Sequence, residues 1–163
     1  MTQLLGDKAH IAIEYYIENK PKFIGRAIFW IHDAFLGSLD DTIFFDGYLV
    51  SGLVEILNKN KLDRRYSSNE SVKIYELLDK DRASDSDLYD LAKSYHVSLG
   101  TWSDYFDVYS YRVTKNTGAI LWKFTGGNDD LKDLINYPSC VFCEEFNYDE
   151  LSDLIEKFRS INI

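Results

Sequence analysis

Proton transfer near neutral pH asks for a side chain that titrates there, and the chain offers His10, His32 and His96. They fall in separate segments, and no G-x-S-x-G, P-loop or H-E-x-x-H pattern accompanies any of them. His96 stands near the end of a predicted helix, where a cation meets the negative end of the helix dipole, and that is the role expected of it. Cys140 and Cys143 have the spacing of a redox or zinc pair. Zinc takes four ligands, however, and neither a second cysteine pair nor a suitably spaced histidine pair occurs. A redox pair draws its reactivity from a helix N-terminus, whereas SCVFCEEF has the pattern of a strand, whose period of two turns positions 140 and 143 to opposite faces. Both are expected as buried structural thiols. The adjacent acids Asp40-Asp41 and Asp129-Asp130 lack the alternate spacing of an EF-hand loop. Carboxylates that converge in space for hydrolysis stay open as an alternative, because sequence does not set their separation. No catalytic residue, metal ligand or cofactor is assigned.

These residues must be positioned by elements that the periodicity predicts. HIAIEYYIE alternates, with Ile11, Ile13, Tyr15 and Ile17 on one side and Glu14 and Glu18 on the other, and Pro21 ends it. FIGRAIFWI is apolar on both sides near its end, which predicts a strand central in its sheet. His32-Asp33 reads as a tight turn into AFLG, and Asp40-Asp41 as a polar approach to a helix capped by Asp46 and bearing Leu49, Leu53, Ile56 and Leu57. KNKLDRRYSSNES reads as a loop, SVKIYELLDK as a short helix with Val72, Tyr75 and Leu78 inward, and Ser84 or Asp85 as the cap of a further helix with Leu88, Leu91 and Tyr95. DYFDVYSYRV and AILWKF form a hairpin turned by Asn116-Thr117-Gly118, residues that tolerate positive φ. After SCVFCEEF, Asn147 and Glu150 have capping-box spacing ahead of a helix striped by Leu151, Leu154, Ile155 and Phe158. Strands, helices, strands and a terminal helix predict a single α+β domain over residues 1–163, an antiparallel β-sheet with helices packed on it.

A chain of 163 residues with 45% hydrophobic and 15% aromatic content can bury a full core. Residues 1–20 carry Asp7, Glu14 and Glu18 where the apolar centre of a signal peptide would lie, and no uncharged run reaches the roughly 18 residues of a membrane helix. A cytoplasmic location with no membrane partner is expected. The net charge is −9, and it is uneven: residues 1–80 carry 12 acids and 10 bases, residues 81–163 carry 15 acids and 8 bases. Such a field repels phosphate backbones and attracts basic surfaces, so no direct nucleic-acid ligand is expected.

The N-terminal third reads LLGDKAHIAIEY, then IGRAIFWIHDAFLGSLDDT, then DGYLVSGLVEIL. This order resembles the start of the immunity protein 42 family of bacterial polymorphic toxin systems, those of contact-dependent growth inhibition. In that family a Gly-Asp and an apolar strand ending in Glu-Tyr precede a Gly-x-x-x-Phe-Trp-Ile strand, a short turn, and a second Gly with acids behind it. Gly6-Asp7, Glu14-Tyr15, Gly25, Phe29-Trp30-Ile31, Gly37 and Asp40-Asp41 occupy those positions, within residues 4–58. His32-Asp33 stands where an Asn-Gly-like turn is expected, and Ser38-Leu39 separates Gly37 from the acids. The matched residues have the character of fold determinants, and none is carried over as a binding residue.

The resemblance implies a protein that does no chemistry. It would bind, one to one and as a monomer, the C-terminal toxin domain of an effector delivered by sibling cells, and so protect its producer. Such toxins are often nucleases with basic active sites, which an acidic partner can occupy. The expected interface is the acidic second half: Asp85, Asp87 and Asp90 first, with Asp104 and Asp107 flanking aromatic anchors at Trp102, Tyr105 and Tyr109, and Asp129-Asp130 second. The rival classes are a small carboxylate-dependent hydrolase and an acidic adaptor for an unrelated basic protein. A hydrolase would hold two carboxylates in a concave pocket, one with a raised pKa.

Overall fold

The computed structural model describes residues 1–127 and 130–161. Alternation builds the first sheet, an antiparallel meander of β1 (Gln3–Gly6), β2 (Ile11–Asn19), β3 (Ile24–Ile31) and β4 (Ala34–Phe44). The short β1 was not apparent in the periodicity. Ile11, Ile13 and Tyr15 of β2 lie opposite Ile31, Phe29 and Ala27 of the internal strand β3, all buried. His32 and Asp33 make the predicted turn with φ of 47° and 65°, the left-handed pair that Asn-Gly would adopt at lower cost. The preceding loop holds them there, because the His32 and Asp33 amides donate to the carbonyls of His10 (3.0 Å) and Lys8 (2.8 Å).

Asp40-Asp41 is not a loop before a helix. β4 continues to Phe44, but Ala27 faces Ser38 while Gly25 faces Ile43, so residues 39–42 bulge out of the ladder. Nor does Asp46 cap the helix. A π-helical turn (Phe45–Val50) begins directly after Phe44 without a side-chain cap and runs into α1 (Ser51–Leu57). Burial sets this start: Phe45 is packed edge-on among Tyr15, Phe23 and Phe158.

The middle of the chain holds the two helices expected there and one short helix more. α2 (Arg64–Ser67) forms inside the expected loop, capped by Asp63, whose carboxylate accepts the Arg65 amide at 2.9 Å. α3 (Ser71–Ala83) buries Ile74, Tyr75 and Leu78, whereas Val72 is exposed. Neither Ser84 nor Asp85 caps α4 (Tyr89–Ser94). Ser86 instead accepts the Leu88 amide at 3.1 Å just before the helix.

A second antiparallel sheet contains β5 (Phe106–Arg112), β6 (Thr117–Phe124) and β7 (Val141–Asn147), in that order. The architecture is therefore α+β, as expected, with the strands divided between two sheets. Phe106, Val108, Ile120, Trp122 and Phe146 join the first sheet and α5 (Tyr148–Ser160) in the main core, and Tyr109, Tyr111, Ala119 and Leu121 face a second cluster under α2, α3 and α4. The β5–β6 turn differs from its expected chemistry. Asn116, Thr117 and Gly118 keep negative φ, and the Thr114 hydroxyl accepts the Asn116 and Thr117 amides at 3.3 and 3.1 Å. Gly118 answers a steric need, because a Cβ there would lie 2.5 Å from the Tyr148 hydroxyl. Asn147 caps α5 by accepting the Asp149 and Glu150 amides at 2.8 and 3.2 Å, and Leu151, Leu154, Ile155 and Phe158 are buried as predicted.

Candidate interaction surface

The expected aromatic anchors are core residues. Trp102 is fully buried beneath Gly37, and its indole N–H has no partner among the described residues. Tyr105 is buried and donates to Asp41 Oδ2 at 2.8 Å. Tyr109 is buried and accepts from Arg82 Nε at 2.8 Å. Burial holds both phenol pKa values well above the usual tyrosine range. These three residues are thus removed from the candidate surface. Trp102 and Tyr105, just ahead of β5, enter the main core, while Tyr109 on β5 faces the second cluster under α3 and α4.

The acids separate in the same way. Asp107 belongs to a polar cluster at the end of α3, where Arg82 Nη2 lies 3.2 Å from its Oδ1 and 3.8 Å from Asp79 Oδ1. Burial raises the Asp107 pKa, with Arg82 opposing and Asp79 adding to the rise. This is the nearest approach to the two-carboxylate arrangement of a hydrolase, but the guanidinium sits between the two acids, where a substrate would have to go. His96 packs edge-on to Tyr109 and comes within 4.0 Å of Asp107 Oδ1. Burial first, and then Arg82, Lys59 and Lys93, depress its pKa to about 4. His96 is therefore a neutral imidazole at pH 7, neither the expected helix-end cation nor one half of an ion pair.

Asp85, Asp87 and Asp90 are exposed on the α3–α4 connection and the start of α4, and none of the three has a partner among the described residues. Arg82, Asp85, Ser86 and Tyr89 wall an open depression of about 660 Å³ there, and Tyr89, overlooked in the sequence, is the exposed aromatic at this corner. Asp104 is exposed at the end of a 3₁₀ turn (Gly100–Asp104), and Asp130 is exposed. Asp129 lies outside the described residues.

Cys140 is exposed just before β7, which corrects its expected burial. Cys143 is half-buried inside the strand, and both thiols are free. Burial raises the Cys143 pKa, which disfavours the reactive thiolate. Among the described residues no group of three or more His, Cys, Asp or Glu side chains is placed to hold a metal, and no helix is long and apolar enough to cross a membrane.

The residues that carry the family resemblance hold the fold together. Glu14 accepts from Thr2 at 2.6 Å and from the Trp30 indole at 3.0 Å, Asp7 accepts the Ala9 amide at 2.9 Å, and Asp41 accepts from Tyr105. Asp133, which the sequence reading passed over, fastens the β4 bulge. Its carboxylate accepts from the Ser38 hydroxyl at 2.6 Å and the Leu39 amide at 2.8 Å, while its own amide donates to Asp40 at 3.2 Å. No protein-family model matches the chain, and neither a curated protein nor a solved structure matches it.

Proposed function

We propose that this protein is an immunity protein: it binds a cognate bacterial toxin domain with a basic surface, nuclease in type, and neutralises it in the cytosol of the producing cell. The observation that carries the reading is the α3–α4 corner, where Asp85, Asp87 and Asp90 are exposed and have no partner among the described residues. Carboxylates that stabilise a fold are bonded within it, as Asp41, Asp63, Asp81 and Asp133 are here. Unpartnered acids in a chain of net charge −9 set up a field that accelerates encounter with a basic surface. Tyr89 beside them supplies an aromatic contact of the kind enriched at interfaces. The N-terminal resemblance adds the identity of the partner.

Co-expression with the toxin domain encoded beside it tests this reading. Growth should be rescued, and the purified pair should form a one-to-one complex with an affinity on the order of nanomolar. A demonstrably toxic neighbour that is neither bound nor neutralised would remove the immunity reading and leave an acidic adaptor for another basic protein.

A further inference from the structure

The outer strands of the two sheets are β1, β4, β5 and β7. The edge of β5 is covered: Ser110 and Arg112 donate to the carbonyls of Tyr95 and Asn60, each at 2.8 Å, and Val97 donates to Val108 O at 2.9 Å. The edge of β4 is covered by Asp133 on Ser38 and Leu39 and by the Tyr137 hydroxyl on Phe35 O. β1 is only four residues long and ends in a glycine. β7 has seven residues and pairs with β6 alone.

The register identifies its free backbone groups. The Tyr148 amide donates toward β6, to Asn116 O at 2.8 Å, so alternate residues Phe146, Glu144 and Phe142 also face β6. Val141, Cys143 and Glu145 turn their amides and carbonyls outward, and these groups have no partner among the described residues. An edge of this kind is a template for another strand.

A cleft opens on each side of it. One, of about 750 Å³, lies toward α3 and is lined by Lys61, Ser71, Tyr111, Arg112, Cys143 and Glu145. The other, of about 310 Å³, lies toward the first sheet and is lined by His10, His32, Thr117, Glu145, Asn147 and Glu150. Successive side chains of an added strand alternate between faces and would enter the two clefts in turn. The smaller cleft has carboxylates and no lysine or arginine, which suits a cation. The larger sets Lys61 and Arg112 against Glu144 and Glu145, and Tyr111 offers it a hydroxyl without a partner among the described residues, which suits an uncharged polar side chain. A second copy of the chain would bring two molecules of net charge −9 together, and a register centred on Glu144 or Glu145 would set like charges across the ladder, which is destabilising.

We infer that the β7 edge receives an extended segment of a basic partner protein as a fourth strand, with lysine or arginine at alternate positions on the side of His10 and Glu150. This surface is distinct from the α3–α4 corner and does not depend on what the partner does.

Selection of short random peptides displayed on phage against the intact protein tests the inference. Selected peptides should carry basic residues at alternate positions, and on binding they should protect the Cys143 and Glu145 amides from hydrogen exchange. Glu145→Pro removes an outward N–H that β6 does not use, so the sheet should tolerate it while peptide affinity falls by at least about tenfold. Glu145→Gln, which keeps the N–H, should lose less, and D85N/D87N/D90N should change nothing. Peptides without the alternation that leave those amides unprotected, or equal binding to Glu145→Pro, would overturn the inference. So would a dimer of the protein alone that Glu145→Pro dissociates, since the occupant would then be a second copy. Should Glu145→Pro fail to fold, amide protection in the unsubstituted protein decides.

Discussion

At the scale of single residues, His96 shows how position overrides residue type. The same imidazole at a solvated helix end would gain a proton near pH 6.5, but here burial and the cations Arg82, Lys59 and Lys93 keep it neutral down to about pH 4. Between these values the unfolded chain binds a proton that the folded chain refuses. Stability conferred by the neutral form is therefore complete above pH 6.5 and is lost as the pH falls toward 4, by about 3 kcal/mol for this group. Asp107, whose folded pKa is raised, works in the opposite sense, because its protonation on acidification favours the fold. Comparing urea unfolding of the unsubstituted protein and His96→Asn at pH 7 and pH 5 isolates the histidine. The gap between the two pH values should shrink in the variant, and an unchanged gap would place the acid sensitivity elsewhere. Gly37 makes a second residue-level case. Its φ is +101°, and a Cβ there would stand 2.6 Å from the Trp102 ring. Gly37→Ala should cost about 3 kcal/mol in thermal or denaturant unfolding, through strain and through displacement of a fully buried indole.

At the scale of elements, the terminal helix was legible because its signals agree. Asn147, the acids of the first turn and the apolar stripe all name the same start and the same buried face. Asn147→Ala should therefore cost about 1 kcal/mol in a denaturant melt, while Asn147→Ser should be nearly neutral. The β2–β3–β4 meander and the β5–β6 hairpin were legible from alternation for the same reason. What alternation cannot convey is where long-range partners sit. The β4 bulge depends on Asp133, nearly a hundred positions away, and the π-helical start depends on the aromatic cluster around Phe45. Lys59 is a further example. A lysine in a basic stretch reads as solvated, yet this one is buried and donates to Glu55 at 3.1 Å and to the Ser94 and His96 carbonyls at 2.9 and 2.8 Å. Lys59→Met should destabilise by about 2 kcal/mol because two buried carbonyls lose their donor, an effect read directly in a denaturant melt.

At the scale of the molecule, charge was the most legible property and the aromatic content the least. The excess of acid after residue 80 is plain in the sequence, and the structure exposes Asp85, Asp87, Asp90 and Asp104. Trp102, Tyr105 and Tyr109 were drawn to the same surface by proximity in sequence, but a sheet covered on both faces takes aromatics into two cores. Tyr89 was passed over because a lone aromatic at a helix start carries no periodic signal. On the proposed reading, the unpartnered acids and the unpaired strand edge are two independent means of recognition. The first is long-ranged and sensitive to salt, and the second is short-ranged and set by main-chain geometry.

The measurement that bears most directly on the acidic corner is the association rate of the proposed toxin partner with this protein, followed across a range of salt concentrations and repeated with D85N/D87N/D90N. The account predicts fast association that slows as salt rises, and for the triple variant a slower rate with a flatter salt response, by about tenfold at low ionic strength. An association rate and salt dependence unchanged by the three substitutions would contradict it and show that the toxin is met on another face.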